Sequence, residues 1–213
     1  MQHPPTIIAI DGPSASGKGT IAKRLAAHLG FAHLDTGLLY RAVGMAVVCS
    51  GGDPANVAAA EKAARALDYG SLNDSALRSD EAGSAASKVA AIPEVRAALL
   101  KFQKDFCAAP PGGLPGAVLD GRDIGTVIAP QAPVKIYITA SAETRADRRF
   151  KELQGRGIAT TYEAVLKDMQ DRDARDLSRS AAPLKPAADA VVIDTTGLDI
   201  DGVMAKALQI CGR

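Results

Sequence analysis

Ile7-Ile8-Ala9-Ile10-Asp11-Gly12-Pro13-Ser14-Ala15-Ser16-Gly17-Lys18-Gly19-Thr20 runs from a short apolar strand through a glycine-bearing loop into the opening of a helix. Gly12 and the Gly17-Lys18 pair stand at the spacing of a phosphate-binding loop. An oligophosphate needs several donors converging on one point. Backbone N–H groups in a strand–loop–helix turn supply them, and glycine lets the backbone come close. Lys18 is placed to set an ammonium on the outer phosphates, and Thr20 to offer a hydroxyl near a magnesium ion. Gly19 directly follows the lysine, so the hydroxyl is displaced by one position from the usual pattern.

Working outward, Ile21, Leu25 and Leu29 recur at four-residue spacing, which predicts a helix over Lys18 to Leu29 with Gly30 as its stop. Thr36 to Cys49 reads as another helix, ended by Ser50-Gly51-Gly52-Asp53-Pro54. From about Asp53 to Ile92 the character changes. Alanine is frequent, large apolar side chains are few, and Tyr69-Gly70-Ser71 and Asn73-Asp74-Ser75 are turn-like, as expected of an inserted lobe. A helix of about fifteen residues follows Pro93, with Val95, Leu99, Leu100 and Phe106 on one face, and Pro110-Pro111-Gly112-Gly113 ends it. Ala117-Val118-Leu119, Val134 to Ile138 and Ala190 to Ile193 are short β-rich runs separated by helical segments. Strands alternating with helices predict an α/β fold with the strands side by side in a buried parallel sheet.

The chain of 213 residues is long enough for one substantial core. Lysine and arginine number 25 against 24 acidic residues, so no global charge draws nucleic acid or a membrane surface, and any basic site is local. Cys49, Cys107 and Cys211 are odd in number and far apart, without a Cys-x-x-Cys, and read as packed or free thiols. His3, His28 and His33 make no ligand pattern with them, which argues against a transition-metal site. The amino-terminal residues lack a basic region followed by an apolar core. No apolar run approaches the roughly 20 residues of a membrane span, and a cytoplasmic protein is expected.

Three further constellations carry chemistry. Asp120-Gly121-Arg122-Asp123-Ile124-Gly125-Thr126 puts two carboxylates and a guanidinium at the carboxyl edge of a predicted strand, where open α/β sheets bind ligands. The structural alternative is Arg122 pairing with Asp120 or Asp123 to fix a turn. In Asp35-Thr36-Gly37-Leu38-Leu39-Tyr40-Arg41, Thr36 is a candidate helix cap and Arg41 projects a turn later toward an anion. Arg145, Arg148, Arg149 and Arg156 precede Arg172, Arg175 and Arg179. On a helix Arg172, Asp176 and Arg179 fall within about 100° of one another and can face one ligand. A solvated face laced with Asp168–Arg172 and Asp171–Arg175 pairs is the bland alternative, and beside a phosphate loop the balance shifts toward cations for a transferring phosphoryl group. Asn-Lys-x-Asp is missing and Asp120 precedes glycine rather than a second acid, so a GTPase or motor ATPase is disfavoured. A kinase of a small acceptor remains, with a nucleotide-binding module lacking turnover as the rival of a different class.

Taken in order, residues 12–20, Leu34-Asp35-Thr36-Gly37 with Tyr40-Arg41, the 120–126 motif, and Arg172-Asp173-x-x-Asp176-x-x-Arg179 with Ala182-Pro183-Leu184 closely resemble the bacterial cytidylate kinases, within the nucleoside monophosphate kinases that share Gly-Lys-Gly-Thr. The resemblance spans nearly the whole chain. It implies a three-layer α/β/α P-loop kinase core (1–52 and 93–213), an inserted NMP-binding lobe (about 53–92) and a small lid (about 149–162) in a single domain. The implied reaction is reversible magnesium-dependent transfer of the ATP γ-phosphoryl group to CMP or dCMP; a same-class rival is UMP or another small acceptor. Gly12, Pro13, Ser14, Ala15, Ser16, Gly17, Lys18, Gly19 and Thr20 match the ATP cradle. Thr36, Arg41, Ser87, Arg96, Arg122, Asp123, Arg172, Asp176 and Arg179 match the CMP site: Ser87 and Arg96 on cytosine, Asp176 with Arg172 on the ribose, Arg41, Arg122 and Arg179 on phosphate. Lys18, Arg122 and Arg179 are the implied catalytic cations, and Thr20 and Asp120, or Asp123, the implied magnesium or magnesium-water ligands. A monomer without nucleic-acid or membrane partners is expected. Many relatives have a longer, β-rich insertion, whereas Leu67 to Ala85 is short and shows little strand alternation.

Overall fold

The computed structural model describes residues 4–72 and 75–212. Five parallel strands form one sheet: β1 (Thr6–Asp11), β2 (Ala32–Asp35), β3 (Gly116–Gly121), β4 (Val134–Thr139) and β5 (Val191–Asp194), in the order β2-β3-β1-β4-β5. The phosphate loop therefore leaves the central strand, flanked by the carboxyl ends of β3 and β4.

Strand alternation sends neighbouring side chains to opposite faces, so β1 contributes to two cores at once. Ile8 and Ile10 pack with Val118, Ile136 and Ile138 beneath α1 (Lys18–Leu29) and α8 (Ile200–Ile210). Ile7 and Ala9 pack with Leu34, Ala117 and Leu119 on the other face, covered by Phe102 and Phe106 of α5 (Pro93–Ala108) and by Ile124 and Ile128 of a π-helical turn, Ile124–Ile128. These are the three layers that the family resemblance implies, around the parallel sheet that the alternating strands and helices predict. Helix α1 has the predicted bounds and stops at Gly30, whose φ of 66° suits glycine. Helix α2 (Thr36–Cys49) likewise has its predicted span.

Among its described residues the segment between α2 and α5 has helices, turns and irregular links but no strand. It contains α3 (Val57–Arg65), a 3-10 turn Tyr69–Ser71, a second Ser75–Arg78, and α4 (Asp80–Val89). Asn56 and Ser79 cap α3 and α4 through their side chains. Asn73 and Asp74 of the predicted turn lie outside the described residues, as does His3. Helix α4 buries only small residues apart from Val89, namely Ala82, Gly83, Ala85 and Ser87, which lets it lie close along α2: a Cβ on Gly44 would come within 2.7 Å of Ala85 Cβ. A separate small core, Ala146, Leu153, Val165 and Met169, joins α6 (Ala142–Gly155) to α7 (Tyr162–Ser178). Cys49 and Cys107 are free thiols, and burial pushes the Cys107 thiol up to about 11. Among the described residues no helix is long and apolar enough to cross a membrane.

Candidate active site

The donor side is built mainly from backbone. Gly12 is required because a Cβ there would run into the carbonyl of Ile138 on β4. Ala15 holds a left-handed φ of 54°, a conformation an alanine adopts only where its surroundings impose it. Gly17, at φ 89°, stands at the amino end of α1, where no side chain caps the helix and no acid occupies the first turn. The first N–H groups of α1 are thus left for an anion. Lys18 folds back to donate to the Pro13 carbonyl at 3.2 Å. Burial, and then the nearby Arg122 cation, lower its ammonium to about 7. The loop is braced from behind: Arg145 donates to the Ser14 carbonyl at 3.3 Å and pairs with Asp173 of α7 at 2.7 Å. Thr195, after β5, donates to the Ser16 carbonyl at 3.3 Å. Thr20 is exposed on the first turn of α1.

The acceptor side is built from side chains. Thr36, Arg41, Ser87, Arg96, Arg122, Asp123, Arg172, Asp176 and Arg179 all line one cavity of about 70 Å³ at the carboxyl edge of β3. A second cavity of about 200 Å³ opens beside Ser14 and Ala15 of the phosphate loop, and Arg41 and Arg172 line both. Two of the five guanidiniums are held by acids from other elements. Arg122 pairs with Asp176 at 3.1 Å, Arg96 pairs with Asp123 and lies 5.5 Å over the Tyr40 ring, and Ser87 donates to Asp176 at 3.1 Å. Arg172 meets Asp168 at 3.4 Å, one of the two intrahelical pairs the bland alternative foresaw. In the other, Arg175 reaches only the Asp171 carbonyl, at 3.2 Å. Arg41 has carbonyl partners, Leu77 at 2.8 Å and Ser79 at 3.1 Å, and burial followed by the neighbouring Arg172 lowers it to about 10. Among the described residues the buried Nη2 of Arg179 has no hydrogen-bond partner. Cations are therefore concentrated around a small space that an anion would neutralise.

Comparison with known proteins fits this geometry. Residues 8–213 match the model of the cytidylate kinase family. The cytidylate kinase of Paramagnetospirillum magneticum is 62% identical over 97% of this chain and 98% of its own length, and that of Rhodospirillum rubrum 60% identical over 96% of each. The chain belongs to the cytidylate kinase family. Solved structures of much lower identity share the fold: an uncharacterized protein from Eubacterium ventriosum (16% identity, TM-score 0.57, covering 98% of this chain and 99% of that one) and a sugar kinase from Janibacter sp. (16%, 0.53, 98% and 95%). As a member of the cytidylate kinase family the chain is a nucleoside monophosphate kinase.

Several details of this cytidylate kinase site differ from the sequence expectations. Thr36 does not cap α2: Asp35 occupies the cap position, and the Thr36 hydroxyl donates instead to the Asp120 carbonyl at 2.9 Å. Gly121 permits that approach, since a Cβ there would sit 2.5 Å from Thr36 Oγ1. Arg122 pairs with neither Asp120 nor Asp123. Its carboxylate partner comes from a helix more than fifty residues away. Arg179 is not on α7 but just beyond it, extended at φ −61° and ψ 138°, with its Nε on the Ala182 carbonyl at 2.7 Å.

Other residues of the site escaped the sequence. Asp35 lies beside Asp120 at the ends of β2 and β3, and its carboxyl is pushed up by burial and then by that neighbour. His33 Nε2 sits 2.8 Å from Asp120 Oδ2. Asp11, 4% exposed, accepts N–H bonds from Ile124 and Gly125, each at 2.8 Å. A signal existed for Asp11 and Asp35, each an acid closing an apolar strand at the edge where ligands bind. None existed for His33, which needs the β2–β3 pairing to find its partner.

Proposed function

We propose that this protein transfers the γ-phosphoryl group of ATP reversibly to CMP or dCMP, giving ADP and CDP or dCDP. The observation that carries this reading is the convergence of the nine acceptor residues on one cavity, although they come from five separate stretches of chain, beside an uncapped helix that follows a phosphate loop. The backbone N–H groups of the loop from Gly12 to Thr20, Pro13 excepted, receive the ATP phosphates, with Lys18 on the outer ones. Arg41, Arg122 and Arg179 take the acceptor phosphate, while Ser87 and Arg96 serve cytosine and Asp176 with Arg172 the ribose. Ser87 and Arg96 suit cytosine because a hydroxyl and a guanidinium satisfy its carbonyl and ring nitrogen.

The residues present also fit a hydrated magnesium ion. Asp35 and Asp120 crowd two carboxylates together near Lys18, and that ion is held by one or two carboxylates through its waters and by substrate phosphates rather than by a protein cage. Among the described residues no group of three or more histidine, cysteine or acidic side chains forms such a cage. When bound, magnesium neutralises charge on the β- and γ-phosphates. The chain's own part is to align an acceptor oxygen with the γ-phosphorus, to place Lys18 and the guanidiniums over the oxygens that gain charge, and to keep water out. A general base is unnecessary because the acceptor phosphate is already anionic near neutral pH. Residues 53–92 serve as the acceptor lobe, and the end of α6 with the turn into α7, about 149–162, as the lid that closes over the phosphates.

Coupled ADP release with ATP and a panel of CMP, dCMP, UMP, AMP and shikimate tests this reading. Stimulation by CMP and dCMP supports it. Stimulation only by another acceptor, or by none, overturns it.

A further inference from the structure

We infer that Asp11 sets the acceptor loop against the donor loop, as a positioning residue for phosphoryl transfer; this rests on the assignment of Arg122 and Asp123 to the acceptor site. Asp11 is the last residue of the central strand, and the next residue, Gly12, opens the phosphate loop. Its backbone lies in register with Gly121 of β3 and Tyr137 of β4. Its buried side chain crosses to the β3 side, where Oδ1 accepts from the Ile124 N–H and Oδ2 from the Gly125 N–H at 2.8 Å each.

Those amides follow Arg122-Asp123 directly. The Asp123 carbonyl accepts in turn from Val127 at 2.9 Å and Ile128 at 3.2 Å, so the peptide joining Asp123 to Ile124 is pinned at both its oxygen and its hydrogen. That peptide fixes where Asp123 points, and Asp123 holds Arg96 over Tyr40. One side chain, rooted at the first residue before the donor loop, thereby fixes the spacing between the donor phosphates and the acceptor guanidinium. The carboxylate is specifically required. Two converging donors need two acceptor oxygens, whereas an amide offers one acceptor and turns an NH2 donor against the second N–H. A buried carboxylate is otherwise costly, and burial does push this one up to about 6. Gly125 closes the contact, since a Cβ there would lie 3.4 Å from Asp11 Oδ2 and 3.2 Å from Lys135 Cδ.

The test compares the intact wild-type chain with Asp11→Asn and Gly125→Ala by steady-state kinetics with CMP and ATP varied separately, alongside thermal melts. Asp11→Asn is expected to raise KM for CMP and lower kcat by about ten-fold each while KM for ATP stays within about two-fold, as a small misplacement of reacting groups demands. Gly125→Ala, which crowds the same contact from the other side, is expected to show the same split at smaller size and keeps the test open if the asparagine variant fails to fold. Unchanged kinetics in folded variants with lowered melting points, or equal rises in both KM values, would overturn the positioning role. Wild-type failure to turn over CMP would remove the proposed function and this role with it, whereas normal wild-type turnover beside unperturbed variants removes only this role.

Discussion

The donor loop and the acceptor cavity lie side by side yet are made in opposite ways. The donor loop is contiguous, backbone-built and shaped by local conformation: Gly12 against Ile138, Ala15 and Gly17 at positive φ, and an uncapped helix end. The acceptor cavity is discontinuous and side-chain-built, its guanidiniums held by carboxylates and carbonyls from other elements until a ligand enters. A backbone cradle is preorganised and keeps its shape when one side chain is removed. A lattice of ion pairs is preorganised only as a set, so losing one member leaves another buried charge unpaired. Substitutions on the two sides are therefore expected to fail differently.

The largest effect is expected from Lys18→Ala. In the proposed function its ammonium serves the outer phosphates, so phosphoryl transfer is expected to fall by about a thousand-fold or more. The side chain donates only to the Pro13 carbonyl, and the melting point is expected to stay within a few degrees of wild type. A coupled assay and a thermal melt check both. A collapse of the fold would show that the donor loop depends on its side chain after all.

Arg122→Ala comes next and strikes the other side. It removes a guanidinium from the acceptor cavity and leaves the buried Asp176 without its cation, so kcat/KM for CMP is expected to drop by about a hundred-fold while ATP binding changes by less than about three-fold. Equal losses for both nucleotides, read by kinetics with each varied in turn, would dissolve the distinction between the two sides.

The same contrast decides what was legible in the sequence. A contiguous site prints itself on the chain: residues 12–20 and the bounds of α1 follow from spacing and from glycine chemistry. Most acceptor residues were visible in motifs, Ser87 and Arg96 only through the family resemblance, but their partners were not, because Arg122 with Asp176 joins the end of β3 to α7 and His33 with Asp120 joins β2 to β3, pairings that only the tertiary fold creates. β2 escaped because four residues of mixed polarity carry too little periodicity. Helices α3 and α4 escaped because alanine and glycine mark a close helix contact, which tertiary packing rather than hydrophobic pattern determines.

A protonation difference probes the donor side without any substitution. Lys18, lowered to about 7 in the ligand-free protein, carries its charge below that pH and loses it above. Phosphates favour the ammonium, so binding ATP raises its pKa and draws in a proton at pH 8. Calorimetric titration in two buffers of different ionisation heat is expected to read close to one proton taken up at pH 8, with affinity about ten-fold weaker than at pH 6 from this group alone. The sign for folding is the reverse: a lowered lysine binds fewer protons folded than unfolded, so it favours the ligand-free fold increasingly as pH climbs from 7 to 10.5. No proton uptake, or the same uptake in Lys18→Met, would refute the assignment.

The smallest effect separates two glycines on facing helices of the acceptor side. A Cβ on Gly44 would meet Ala85 Cβ at 2.7 Å and its carbonyl carbon at 2.9 Å, atoms that cannot move without shifting α4, so Gly44→Ala is expected to cost about 1–3 kcal/mol of stability. A Cβ on Gly83 would meet Arg172 Nη2 at 2.7 Å and Cζ at 3.0 Å, the far end of a flexible side chain that meets Asp168 at 3.4 Å. Gly83→Ala is therefore expected to leave the melting point nearly unchanged, helped by alanine's better helix propensity, and to displace the guanidinium from the cavity it lines. KM for CMP is expected to rise by about five-fold with KM for ATP unmoved, the loss of one placed charge-assisted contact. If Gly83→Ala instead raised both KM values together, Arg172 would serve the donor cavity as much as the acceptor one, and the boundary between the two sites would run through α7 rather than beside it.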